Sequence, residues 1–157
     1  MSTFFSYIAS FFYSAEEEKT YDATFKLNKD DRLETSIIVR NNNEKYSCFA
    51  TEPISKRYYT RYYGEYIDDK PENFKYAWEI YDYDDTTGEP YYENIINYLD
   101  ATNTDSWIKH IRHAEKEEDS NITFQQYLDK IYYIVNKDID AGDELLIWCN
   151  QEYLDSL

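Results

Sequence analysis

Two short apolar runs near the end of the chain, separated by a turn, limit what it can fold into. Residues 131–139 (IYYIVNKDI) are rich in aromatic and β-branched side chains, and residues 144–148 (ELLIW) follow behind the turn Asp140-Ala141-Gly142-Asp143. Such side chains pack well on a pleated surface, so the first run leans to strand. The stretch leading into it is ambiguous. Phe124, Leu128, Ile131 and Val135 fall at helical spacing, and periodicity alone gives a helix there. The residue types of 131–135 favour a strand.

A chain of 157 residues suits one domain of ordinary size, long enough for a core. Hydrophobic residues at 42% and aromatics at 19% exclude a disordered acidic tail. Glycine and proline number 3 each, so turns must draw on Asn, Asp and Ser. The net charge is −16, from 16 basic and 32 acidic side chains. Direct contact with nucleic acid or an anionic membrane needs Lys and Arg, and this balance argues against it. It suits a basic partner such as a histone tail, or simply solubility. Cys48 and Cys149 are the only cysteines, too few for a disulfide framework, which fits a reducing compartment. No run reaches ~18 apolar residues, so none is expected to span a membrane.

Residues 1–14 carry Phe4, Phe5, Tyr7, Phe11 and Phe12, and Glu16-Glu17-Glu18 follows at once. Without a basic start this reads as a segment packed on the domain rather than a secretory signal. Docking to a partner or a membrane surface is the other reading. Residues 1–31 are therefore taken as an aromatic segment and polar connector, and 32–157 as the folded domain. Strands are expected over 36–40, 46–54 and 76–83, and a strand or short helix over 91–99. Asn41-Asn42-Asn43 reads as a turn and 84–90 as a loop around Gly88. Asp105 or Ser106 is placed to cap a short helix starting at Trp107. Residues 115–119 read as a charged loop.

The blocks YLDAT, WIKHIRHA, FQ, IYY and IDAGDELLIW, then EY, occur in that order over residues 98–153. This order and spacing resembles the PR domain, the SET-related domain at the front of many zinc-finger transcription regulators. The likeness is weaker over 36–80 and does not extend to 1–29. It implies a mainly β fold with short helices, built of small curved sheets. Its C-terminal segment would be threaded near residues 107–114 in a pseudoknot-like arrangement. It also implies two strands over 123–135, with a turn near 127–130.

SET-type enzymes move a methyl group from S-adenosylmethionine to a lysine amine without a metal. The chemistry needs a cofactor pocket, an aromatic-walled lysine channel and in-line approach of the amine. By resemblance, cofactor contacts fall at Lys45, Tyr46, Ser47, Cys48, Arg112 and His113. Channel residues fall at Tyr62, Gly64, Tyr98 and Tyr133, with Tyr133 and Cys149 at catalytic positions. Three features depart from the pattern. Lys45 and Ser47 stand where two glycines let backbone approach the cofactor. Arg112, donor-only, replaces an amide. Cys149 replaces the tyrosine whose hydroxyl sits by the methyl group.

His110 and His113 have a spacing a metal could use, but no compact Cys–His spacing supports zinc, so no metal is expected. Cys149 as a nucleophile would need a histidine beside it in space. The favoured reading is a PR/SET-like domain with degenerate cofactor motifs. It would be intracellular, nuclear rather than cytoplasmic, and act as a protein-interaction module in transcription or chromatin regulation. Tyr62, Tyr98 and Tyr133 would hold a basic, lysine-bearing peptide. The alternatives are an active S-adenosylmethionine-dependent protein-lysine methyltransferase, and a structural module docking through residues 1–14.

Overall fold

The computed structural model describes residues 36–149. The readings made for residues 1–31 and for the EY pair at 152–153 lie outside them. Among the described residues ten strands form three small sheets. β1 (Ile37–Asn42) and β2 (Lys45–Ala50) make a hairpin. β4 (Glu65–Ile67), β6 (Pro90–Asp100) and β5 (Ala77–Tyr83) make a three-stranded antiparallel sheet with β6 in the middle. The third sheet has the order β3 (Tyr59–Arg61), β9 (Lys130–Val135), β8 (Ile122–Tyr127), β10 (Leu146–Ile147), β7 (Arg112–His113). Helical structure among the described residues is limited to 3-10 turns at Phe74–Tyr76, Trp107–His110 and Glu117–Asp119. The expected mainly β architecture of small sheets and short helices holds.

The first hairpin turns one residue later than the sequence suggested. Asn41 and Asn42 still pair with Tyr46 and Lys45, and the reversal is made by Asn43 (φ 51°) and Glu44 (φ 66°). Two consecutive left-handed residues match the twist of a two-residue hairpin. The Asn41 side chain accepts the Glu44 amide at 2.9 Å and helps hold it. β2 stops at Ala50, short of the expected 54, and Ile54 instead makes a separate bridge with Ile139.

The helical spacing over 123–135 is overridden. Leu128 has φ 53° and sits in the tight turn, while Phe124 faces Tyr133 and Gln126 faces Ile131 across a β8–β9 hairpin. Residues 131–135 are all buried, as a central strand requires. Residues 91–99 are strand, paired with β5 on one side and β4 on the other. The β5–β6 loop turns through Gly88, at φ 74°, and a Cβ there would lie 2.3 Å from the Tyr127 ring. The expected helix at Trp107 is one 3-10 turn. Ser106 is its N-cap residue but makes no side-chain cap bond, and Asp105 lies outside the cap position.

The C-terminal segment is threaded between elements far earlier in the chain. β10 runs parallel to both β7 and β8 and lies between them. On its other side the chain is stitched to β2. Gly142 N–H donates to the Ala50 carbonyl (2.7 Å), Ala50 N–H to the Asp143 carbonyl (2.9 Å), and Leu145 N–H to the Cys48 carbonyl (2.8 Å). Leu145 and Ile147 are almost fully buried, in one core with Ile80, Leu99, Ile108 and Ile131. The short apolar run therefore acts as a plug joining three separate strands, in keeping with the pseudoknot-like expectation.

Candidate functional site

A cleft of about 440 Å³ opens between β2, the two turns at 74–76 and 107–110, and β7. The hairpin contributes Lys45, Tyr46 and Ser47 to it, and β7 contributes Arg112 and His113. Five of the six positions assigned to the cofactor by resemblance thus line one cavity. The sixth does not. The Cys48 side chain alternates inward on β2 and is fully buried, with its Sγ 3.5 Å from the Trp107 carbonyl. Burial pushes its thiol up to about 12, with a further push from Glu144.

The wall of the cleft is a ring stack. Tyr46 and His110 lie face to face at 4.3 Å and 24°, and Tyr76 meets His110 edge-on at 5.9 Å and 87°. His110 Nδ1 is buried with no hydrogen-bond partner. Burial, and then Lys109 and Lys75, hold the imidazole below its ordinary pKa, so it is neutral at pH 7. Two ammonium groups flank Tyr76, with Lys75 Nζ 5.1 Å and Lys109 Nζ 5.3 Å from its ring centre. Lys109 is fixed there because it donates to the carbonyls of Thr104 (2.5 Å), Ala101 (3.4 Å) and Thr102 (3.4 Å). Arg112 donates through Nε and Nη2 to the two oxygens of Glu144, at 2.6 and 2.7 Å. Its guanidinium clamps β7 to the threaded segment rather than standing free.

The channel residues sit on β6, β9 and the segment between β3 and β4. Tyr62 and Tyr133 meet, with ring centres 5.3 Å apart. Both are core residues, only 2% and 5% exposed. The Tyr62 hydroxyl donates to the Tyr76 carbonyl (2.9 Å), and Trp78 Nε1 donates to the Tyr133 hydroxyl (3.2 Å). Burial, then Asp100 and Tyr76, raise the Tyr62 pKa above its ordinary value, so it stays a neutral phenol. Tyr98 is half-buried on β6, edge-on to Phe74 at 5.7 Å. Gly64 is a packing glycine, since a Cβ there would meet the Asp100 carbonyl oxygen at 2.8 Å. Cys149 is 3% exposed and burial pushes its thiol up to about 12. That suits core packing and disfavours the thiolate a nucleophile needs.

Among the described residues no group of three His, Cys, Asp or Glu side chains could hold a metal. Both cysteines are free thiols. Sequence reasoning missed Lys75, Tyr76 and Lys109, and considered His110 only for metal. One signal was present. Lys45-Tyr46, Lys75-Tyr76 and Lys109-His110 are each a lysine followed by a ring, and all three pairs line the cleft.

The PR-domain model of PR domain zinc finger protein 2 matches residues 33–157. PR domain zinc finger protein 2 of Homo sapiens is 30% identical over 134 residues, covering 80% of this chain and 7% of the relative. The putative histone-lysine N-methyltransferase PRDM6 of Bos taurus is 35% identical over 83 residues, 52% of this chain and 13% of the relative. The chain therefore matches only a small part of these curated relatives. Among solved structures, the methyltransferase domain of human PR domain-containing protein 2 superposes with a TM-score of 0.51 at 23% identity, covering 74% of this chain and 79% of that one. The SET domain of the RIZ1 tumor suppressor gives 0.52 at 22%, covering 75% and 74%. These two likenesses speak for the fold. With the family model covering the whole domain from residue 33 onward, the chain belongs to the PR domain family.

Proposed function

We propose that this PR domain works as a protein-interaction module in chromatin or transcription regulation, in the nucleus, and transfers methyl groups poorly or not at all. The observation that carries the partner reading is the β5–β6 hairpin. From Ala77 to Asp100 it has seven carboxylates and no lysine or arginine. Its surface also exposes Tyr91 (51%), Tyr92 (39%), Ile95 (41%) and Ile96 (43%). Carboxylates beside exposed rings and aliphatic groups match a peptide that alternates lysine or arginine with apolar residues. It offers a partner far more exposed area than the Tyr62 and Tyr133 rings, which are 2% and 5% exposed.

Weak catalysis follows from the chemistry of the cleft. Lys45, Lys75 and Lys109 oppose Glu44, and Arg112 is matched by Glu144, which leaves the lining about two charges positive. S-adenosylmethionine carries a sulfonium and an ammonium against one carboxylate, so its net charge has the same sign as the lining. The residues present do not fit it. The buried Cys149 thiol lies outside the residues that line the cleft.

The test is a titration of the purified chain with histone-tail peptides, beside a methyl-transfer assay using labelled S-adenosylmethionine on the same peptides. Binding without turnover is expected. Changing the exposed Asp85, Glu89 and Glu93 to Asn or Gln should weaken it by about tenfold. Turnover at a rate usual for an enzyme, about 1 per second or faster, sinks the proposal. So does unchanged binding by the triple variant.

A further inference from the structure

The cleft has a ligand preference of its own, independent of the partner reading above. We infer that the cavity walled by Tyr46, Tyr76 and His110 binds an anion that carries a flat ring, of the class of the nucleoside phosphates. Three observations converge on it. The volume, about 440 Å³, lies within the ~300–1,000 Å³ of small-molecule pockets. The charge is local and opposite to that of the chain, for three lysines gather on one cavity of a protein with net charge −16. Such clustering costs self-repulsion that an anion relieves.

The third observation is the ring stack. Tyr46 covers His110 and stays 37% exposed, so a planar base can extend the stack as bases do on aromatic side chains. In this arrangement the base lies on the Tyr46–His110 stack. Lys45 and Lys75, both exposed, close on the phosphates, and the fixed Lys109 ammonium sets the field.

The experiment is calorimetry of the full chain with ADP, AMP, adenosine, inorganic phosphate and S-adenosylmethionine, repeated at low and high salt. ADP is expected to bind, more weakly as salt rises, with adenosine and phosphate alone at least about tenfold weaker. Lys45→Gln with Lys75→Gln, both at exposed positions, should weaken ADP by about tenfold or more and leave the urea midpoint unchanged. The His110 ring resonances should shift on binding. The inference is overturned if ADP fails to bind at about 1 mM, or if adenosine or S-adenosylmethionine binds as tightly as ADP. It is overturned equally if the double variant binds ADP normally, or if a glutamate-rich peptide binds the cleft while ADP does not. Loss of histone-peptide binding in the hairpin variant bears only on the partner reading, so the two tests fail separately.

Discussion

Asn121 holds the threaded segment in place, and its removal should loosen the fold at that point first. Asn121 is 7% exposed, just ahead of β8. Its Nδ2 donates to the Glu144 carbonyl at 2.8 Å and its Oδ1 accepts the Leu146 amide at 2.9 Å. Its backbone N–H donates to the Leu146 carbonyl at 3.0 Å and is untouched by mutation. Asn121→Ala strips two backbone groups of the plug of their partners. Leaving a buried polar group unpaired costs about 1–3 kcal/mol. Glu144 and Leu146 are half-buried, so water repairs part of the loss. The expected total is about 2–3 kcal/mol, which moves a urea midpoint by about 1–2 M for a domain of this size. Asn121→Asp keeps the acceptor for Leu146 but turns a carboxylate toward the Glu144 carbonyl, so it should also destabilise. The assay is urea unfolding followed by tryptophan fluorescence, with hydrogen exchange at the Leu146 amide. A change below about 0.5 kcal/mol for Asn121→Ala, the scale of ordinary surface substitutions, refutes the reasoning. So does a Leu146 amide as protected in the variant as in the parent.

Four further outcomes follow from the same structure. Gly88→Ala forces a left-handed residue at φ 74° and a Cβ against the Tyr127 ring, so it should cost about 1–3 kcal/mol in urea unfolding. Cys48 and Cys149, with thiols pushed up to about 12, should resist a thiol reagent at pH 8 and react together once urea unfolds the chain. His110 has a folded pKa below its unfolded value near 6.5. The unfolded chain therefore takes up the proton first, and stability should drop as pH falls through about 6.5. Comparing His110→Gln with the parent at pH 7.5 and 5.5 isolates this term, and an equal loss in both refutes it. Arg112→Asn breaks a bidentate pair in which the Arg side chain is 54% exposed. It should cost no more than about 1 kcal/mol by urea unfolding.

The chain alone determined the strands whose side chains carry their own signal. The β-branched residues of 131–135, the Asp-Ala-Gly-Asp turn and the Gly88 loop appear where residue types put them, because backbone preference and turn chemistry act over a few residues. The block order over 98–153 also set the family and, through it, the threading of the C-terminal segment. Local patterns misled where long-range packing overrode them. Leu128 completed a helical stripe but lies in a tight turn, since residues 131–135 had to be buried in the middle of a sheet. Only the tertiary structure could separate cleft from core. Tyr46 and Tyr62 are both tyrosines near matching positions, yet one is 37% exposed on a ring stack and the other 2% exposed in the core. The cleft itself is assembled from residues 42–47, 75–76 and 109–113. Coulomb attraction and ring stacking act through space, so no spacing along the chain could reveal that three lysines of an acidic protein share one cavity.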